Sequence, residues 1–192
     1  MNYVDPNTIA SAPTDVNLSR KKFIHLRDEV LKVSPLKKIY YNKQFKRINQ
    51  YLLNGDTQPA IVASLDPLII SAYSTDMDAV LLLRFPQELV NMYQLQKGMK
   101  LVTTNIYFEG DKVVKDIIPG KEYTHKWINY IPMIPLFLCD NETAIRQMPE
   151  MFDDMLWTKV IRMTEEKSAN KKIKSRDGFC YFTKFNLLFM IF

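Results

Sequence analysis

The sequence predicts an α+β domain: an N-terminal helical hairpin, a mostly antiparallel sheet of about five strands, and a C-terminal helix packed on the sheet. Three observations lead to this prediction. Apolar residues recur at helical spacing up to residue 53, short runs of β-forming residues follow between residues 58 and 138, and helical spacing returns after Asp140. With 192 residues, of which 47% are hydrophobic, the chain is long enough to bury a core.

Two helices are predicted before the sheet. The first begins at Ser19, and its apolar side consists of Phe23, Leu26, Val30 and Val33. Pro35 ends it. The second helix runs from Leu36 to Leu53, and its apolar stripe consists of Tyr41, Phe45, Ile48 and Leu52. Gly55 follows this stripe, where a left-handed helix cap favours a residue without Cβ.

The predicted sheet begins with three short apolar runs, at residues 60–65, 67–73 and 78–85. The third run is apolar on both faces, which is typical of a central strand. Residues 100–118 are predicted to form a hairpin, in which residues 112–118 return beside residues 100–108. Residues 127–138 contain two prolines, which favours an edge strand or a buried extended loop over a helix.

Asp140 or Asn141 is predicted to cap a helical region that restarts at Pro149, and its buried side consists of Phe152, Leu156, Val160 and Met163. These elements predict one domain over residues 18–168, after a flexible arm at residues 1–17. The tail, residues 169–192, is first basic and then apolar. Phenylalanines at positions 179, 182, 185, 189 and 192 favour a core-filling segment over a truncated reading frame or a segment that docks on a membrane or partner.

Composition excludes several classes of function. Five glycines and two histidines are too few for glycine-rich phosphate loops or multi-histidine metal sites. The two cysteines, Cys139 and Cys180, show no metal-binding or redox spacing. Because the first residues lack a secretory signal pattern and no apolar window reaches the length of a bilayer span, we expect a reduced, cytoplasmic protein without a cofactor.

The charge is arranged in three parts. Residues 1–56 contain ten Lys or Arg against five Asp or Glu, residues 57–155 contain eight against thirteen, and residues 156–192 contain eight against three. Two basic ends therefore flank an acidic middle. This pattern fits either a nucleic-acid clamp or basic terminal helices packed near an acidic sheet, and the small net charge of +5 favours the second.

Two groups of residues carry alternative functions. Asp66, Asp76 and Asp78 lie beside predicted strands, and three converging carboxylates would hold Mg²⁺ in a metal-dependent hydrolase or nuclease. The simpler interpretation is a polar turn, in which aspartate makes local hydrogen bonds. Lys43, Lys46 and Arg47 on the second helix are candidate phosphate contacts for nucleic acid, with a nearby tyrosine to stack on a base. An ordinary solvated helix face is the simpler interpretation here too.

The apolar segment at residues 127–138 is the last candidate, since Trp127 and Tyr130 would line a groove for a partner. Residues of this kind more often form core. By elimination, the sequence favours a non-enzymatic intracellular binding protein of regulatory, adaptor or toxin-neutralising type, whose partner is another protein. Lys43, Lys46, Arg47, Trp127 and Tyr130 are its candidate contacts.

Overall fold

A computed structural model describes residues 16–169 and 174–183. The helices are α1 (Arg20–His25), α2 (Pro35–Asn54), α3 (Glu88–Met92), α4 (Pro135–Leu138), α5 (Glu142–Gln147), α6 (Asp154–Ser168) and α7 (Cys180–Thr183). A π-helical turn (Leu26–Val30) continues α1, and a 3₁₀ turn (Met148–Met151) follows α5. The strands are β1 (Asp56–Leu65), β2 (Leu68–Ser74), β3 (Ala79–Arg84), β4 (Lys100–Phe108), β5 (Ile118–Pro119), β6 (Asn129–Met133) and β7 (Arg176–Asp177).

The predicted fold class is confirmed. An N-terminal helical region precedes one antiparallel sheet in the order β5-β3-β2-β1-β4-β6, and β7 joins β3 in parallel. The helix ends follow the sequence signals: the Ser19 hydroxyl accepts a hydrogen bond from the Lys22 amide, and Asn141 and Asp153 cap α5 and α6 in the same way. In the described residues, no helix combines the length and apolar character that crossing a bilayer requires.

The sheet is covered on both faces, but unequally. The larger core lies between one face and the helices α1, α2, α4 and α7, and it includes the fully buried residues Phe23, Ile48, Phe137 and Phe179. On the opposite face α6 covers a smaller cluster, in which Val160 and Met163 pack against Ile61, Tyr73 and Val80. The buried central strand β3 therefore contributes to both layers, as its apolar run predicted.

The predicted hairpin at residues 100–118 is only half right. Residues 100–108 form β4, but β4 pairs with β1 on one side and β6 on the other, so no edge is left for a returning strand. Residues 109–117 instead cross to the far end of the sheet, where Ile118 and Pro119 pair with β3 as β5. Residues 109–111 do end the strand, but local sequence does not specify which strand the chain meets next.

Two local predictions are also corrected. Gly55 does cap α2, but with an extended backbone (φ −78°, ψ 160°) and not a left-handed one. Glycine is needed there because a Cβ would overlap the Thr104 side chain and the Tyr51 carbonyl. Within residues 127–138, β6 is the expected edge strand with Pro132 in it, but the segment then turns into α4, whose first residue is Pro135.

The basic end of the chain contributes to the closure of the sheet. The Arg176 guanidinium donates two hydrogen bonds to the Asp116 carboxylate, at 2.8 and 2.6 Å, and one to the Tyr130 carbonyl of β6 at 2.8 Å. Because Arg176 itself pairs with β3 in β7, it joins two strands from opposite ends of the sheet order. The hydroxyl of Tyr130 also reaches across, to the Ala72 carbonyl of β2 at 2.8 Å. The sheet is therefore curled.

Phe179 and Phe182 follow β7 and are both fully buried. Phe182 packs on Phe23 and Tyr41, with ring centroids 5.2 and 5.9 Å apart, so residues 174–183 belong to the same core as the N-terminal helices. The phenylalanines at positions 185, 189 and 192, and the arm at residues 1–15, lie outside the described residues.

Candidate functional site

The three aspartates proposed as metal ligands do not form one site. Asp66 is exposed in the turn before β2, whereas Asp76 and Asp78 lie in the turn after β2, at the other end of that strand. Asp76 is half-buried and accepts a hydrogen bond from the Trp127 indole at 3.3 Å. Within residues 16–169 and 174–183, no three His, Cys, Asp or Glu side chains are placed to hold a metal ion together.

Asp78 is instead the centre of a buried hydrogen-bonded cluster. Its carboxylate accepts hydrogen bonds from the Tyr73 hydroxyl, the Glu122 amide and the Lys159 ammonium, each at 2.8 Å. Lys159 also bonds to the Glu122 carboxylate at 2.7 Å, so it connects α6 to the loop after β5. A Cβ at Gly120 would overlap the Asp78 carboxylate, which explains why this loop contains glycine at its closest approach.

The pKa of Asp78 is lowered. Burial acts to raise it, but the hydrogen bonds from Lys159, the Glu122 amide and Tyr73 outweigh burial because they stabilise the charged form. For Tyr73, burial and then its bond to Asp78 raise the pKa, so the phenol stays protonated and donates. An ionised acid whose oxygens are all engaged is a structural group and not a general acid or base in this arrangement.

Stability should therefore fall in acid. A carboxyl with a lowered folded-state pKa contributes stability above its unfolded value of about 4, and this contribution is lost as the pH falls through the folded value. We expect the wild-type protein to lose more stability than Asp78→Asn between pH 5 and pH 3, measured by urea unfolding at each pH. Parallel pH profiles of the two proteins would contradict the assignment, and Asp66→Asn, at an exposed turn, is the matched control.

Trp127 and Tyr130 are core residues. Only 1% of Trp127 and none of Tyr130 is exposed, and Trp127 stacks on Tyr107 with ring centroids 5.5 Å apart. The Tyr130 hydroxyl is bonded within the sheet, and burial raises its pKa well above the ordinary value. A partner would have to open the core to reach either side chain, so the structure does not place them on an accessible groove.

A second polar cluster is also enclosed. The Tyr107 hydroxyl donates to the Asp56 carboxylate at 3.0 Å and accepts from the Ser74 hydroxyl at 2.9 Å, while the Gln58 amide donates to Asp56 at 2.6 Å. All four residues are at least 97% buried. Burial followed by the negative charge of Asp56 raises the pKa of Tyr107 well above its ordinary value, which keeps it a donor. This cluster fastens β1, β2 and β4 together and offers no opening to a substrate.

Lys43 and Lys46, in contrast, are exposed as predicted. They lie on the side of α2 that points away from the core, since the buried side of this helix consists of Tyr41, Gln44, Ile48, Tyr51 and Leu52. Arg47 differs from the two lysines. It is half-buried, and burial lowers its pKa. The prediction that all three cations share one open surface is therefore corrected for Arg47.

Apolar side chains share this open side of α2. Leu36 is 88% exposed, Ile39 66% and Tyr40 41%. Because an α-helix has about 3.6 residues per turn, positions 36, 39, 40, 43 and 46 lie on the same side of it. We call the five residues Leu36, Ile39, Tyr40, Lys43 and Lys46 the α2 outer surface. Single exposed apolar side chains are ordinary, whereas neighbouring ones rimmed by polar residues are typical of interaction sites.

Sequence reasoning recognised the lysines but missed Leu36 and Ile39. The apolar stripe Tyr41, Phe45, Ile48 and Leu52 already accounts for the buried side of α2, so apolar residues outside that stripe must lie elsewhere. Apolar residues beyond those that the buried stripe needs could therefore have indicated the exposed side.

Comparison of the chain with protein-family models, with curated proteins and with solved structures finds no significant match.

Proposed function

We propose that this is a binding protein without enzymatic activity of its own, and that its α2 outer surface docks an acidic segment of a partner protein. The observation that supports this proposal is the combination on α2 of two exposed aliphatic side chains with exposed lysines. A regulatory or adaptor role inside the cell fits such a surface.

The charge of α2 indicates the chemistry of the partner. The helix contains five Lys or Arg and no Asp or Glu, and although Lys38 is ion-paired with Asp28, the remaining cations give α2 a field that attracts negative charge. A partner with acidic side chains would associate faster through this complementarity than a neutral one. Residues 57–155 carry a net negative charge, which would repel an acidic partner.

The apolar residues distinguish a protein from other polyanions. Protein interfaces typically have an apolar centre with a polar rim, and Leu36 and Ile39 beside Lys43 and Lys46 have this arrangement. Nucleic acid is bound mainly through phosphate contacts and aromatic stacking, to which exposed leucine and isoleucine add little. Nucleic acid and anionic membranes are therefore alternatives that the test must separate.

The experiment uses site-specific photo-crosslinking in the native cell. A photoreactive phenylalanine analogue at position 39 should capture a protein that the same analogue at position 155 does not. Met155 on α6 is the matched control because it is an apolar position that is even more exposed than Ile39 (81% against 66%). Capture at position 39 should be lost in the Lys43→Glu/Lys46→Glu variant. Equal capture at both positions, or capture that survives charge reversal, would contradict the proposal.

The captured protein is then purified and its affinity measured by calorimetry. Truncating a residue that dominates the binding energy of an interface costs about 2 kcal/mol or more, so Leu36→Ser/Ile39→Ser should weaken binding by well over tenfold. Met155→Ser is the matched control and should change nothing. Duplex DNA, RNA and phosphatidylserine vesicles are tested with the same variants. If substitutions at Leu36, Ile39, Lys43 and Lys46 weaken the binding of one of these but leave the affinity for the captured protein unchanged, the surface belongs to a different class of partner.

A further inference from the structure

A cleft of about 340 Å³ lies between α6 and the loop that follows β5. Its walls are residues 119–122, at the end of β5 and in the loop after it, and α6 residues at helical spacing. Its charged lining consists of four basic residues, Lys121, Lys159, Arg162 and Lys167, and three acidic ones, Asp78, Glu122 and Glu166. Met163 and Pro119 add an apolar part. This volume is at the lower end of the range for small-molecule sites.

Ion pairs and hydrogen bonds hold the residues on one side of the cleft in place. Lys159 is held between the Asp78 and Glu122 carboxylates at 2.8 and 2.7 Å, and Asp78 is only 2% exposed. Asp78 also has a left-handed backbone (φ 43°), and the Gly120 amide donates a hydrogen bond to its carbonyl. The loop wall is thus fixed to the turn between β2 and β3, so the cleft is formed before any ligand arrives.

Three of the cationic side chains that line the cleft take no part in the ion pairs of Lys159. Among the described residues, the ion pairs that involve the cleft are those of Lys159 with Asp78 and Glu122, and none includes Lys121, Arg162 or Lys167. Asp78 is buried with both oxygens engaged, and the Glu122 carboxylate, although its side chain is 77% exposed, is bonded to Lys159. Glu166 is the remaining acid of the lining, against the three cations Lys121, Arg162 and Lys167.

We propose that this cleft binds a small phosphate-bearing molecule. The Arg162 guanidinium suits a phosphate because its planar set of donors matches two oxygens at once, and Lys121 and Lys167 add point charges beside it. Pro119, which is exposed, would contact the uncharged part of the ligand. The site is separate from the α2 outer surface in its residues and in the chemistry of what it binds, so the two proposals stand or fall independently.

The test is calorimetric titration of the full chain with ribose 5-phosphate, inorganic pyrophosphate and ribose at constant ionic strength. We expect saturable binding of ribose 5-phosphate at one site and none of ribose. Arg162→Ala and Lys167→Ala should each weaken binding roughly tenfold, since a hydrogen bond to a charged group contributes about 1.5–3 kcal/mol. Both side chains lie at the surface of α6, and the midpoint of thermal unfolding checks that each variant is folded.

Lys97→Ala is the matched control, because Lys97 is exposed in the loop before β4 and does not line the cleft. Its affinity for ribose 5-phosphate should equal that of the wild type. Three results would overturn the proposal: no saturable binding of either phosphate compound, an equal loss in Lys97→Ala, or a loss in Lys43→Glu/Lys46→Glu as large as in Arg162→Ala. Tight pyrophosphate binding with weak ribose 5-phosphate binding would support the phosphate site and exclude a sugar as the uncharged part.

Discussion

Arg176→Met should lower the free energy of unfolding by about 3 kcal/mol, because it removes the bidentate ion pair and leaves the Asp116 carboxylate without a cation. The substitution also removes the hydrogen bonds to the Tyr130 carbonyl and the Asn129 side chain. These contacts join β7, which lies on β3, to the far edge strand β6. Chemical denaturation in urea, monitored by tryptophan fluorescence, measures the effect.

Two variants control this prediction. Arg176→Lys keeps the charge but not the planar donors, so we expect an intermediate loss. Arg176→Met/Asp116→Leu removes both charges, and it should be more stable than Arg176→Met alone because no unpaired carboxylate remains. If Arg176→Met unfolds at the wild-type urea concentration, the ion pair does not contribute to closing the sheet.

Trp127→Ala should cost about 3–5 kcal/mol of folding free energy, the usual range for deleting a large buried aromatic side chain. Trp127 is 1% exposed, stacks on Tyr107, and donates its indole N–H to Asp76 at 3.3 Å. Trp127→Phe keeps a ring against Tyr107 and should lose markedly less. Thermal unfolding followed by circular dichroism measures both variants.

This variant also decides between two roles for Trp127. As a core residue it should lower the unfolding temperature, whereas a residue that lines a partner groove would weaken binding and leave stability unchanged. A Trp127→Ala protein with wild-type stability and lost partner capture would therefore show that the groove interpretation was right and the core assignment wrong.

Regular helices and strands were predictable because one periodicity decides each of them. The stripe Tyr41, Phe45, Ile48 and Leu52 specifies α2 with nothing else, and the two-sided apolar run in β3 specifies a covered strand. The caps that Ser19 and Asn141 form are also local, since each acts within three residues of itself. Such features depend only on residues that are close together in the sequence, so they can be predicted without knowledge of the structure.

The errors share a different cause, since each depends on a contact between distant segments. Gly55 is required by Thr104, and the choice of β3 as the neighbour of Ile118 depends on β4 being occupied on both sides. In the sequence Arg176 is one of several cations of the tail, and only its hydrogen bond to Asp116, 60 residues earlier, shows its structural role. Spacing along the chain has no information about these pairings.

In the candidate site too, local features were predictable and contacts between distant segments were not. Exposure of Lys43 and Lys46 followed from the helical stripe, but the exposure of Leu36 could be expected only by noticing that it lies outside that stripe. Asp78 was correctly placed in a turn, yet its partners Lys159 and Glu122 come from segments more than 40 residues away. The cleft they border was therefore out of reach of sequence reasoning.

Pairing of β7 with β3 has a consequence for synthesis of the protein. Translation releases β3 early, but one of its edges is completed only when residues 176 and 177 arrive, and the aromatic layer over α2 only when Phe182 does. Until then a nascent chain displays an apolar strand edge and unfilled space beside Phe23, the kind of surface that chaperones recognise. On the ribosome, this domain should therefore reach its native state only after almost all of residues 16–183 have emerged from the exit tunnel.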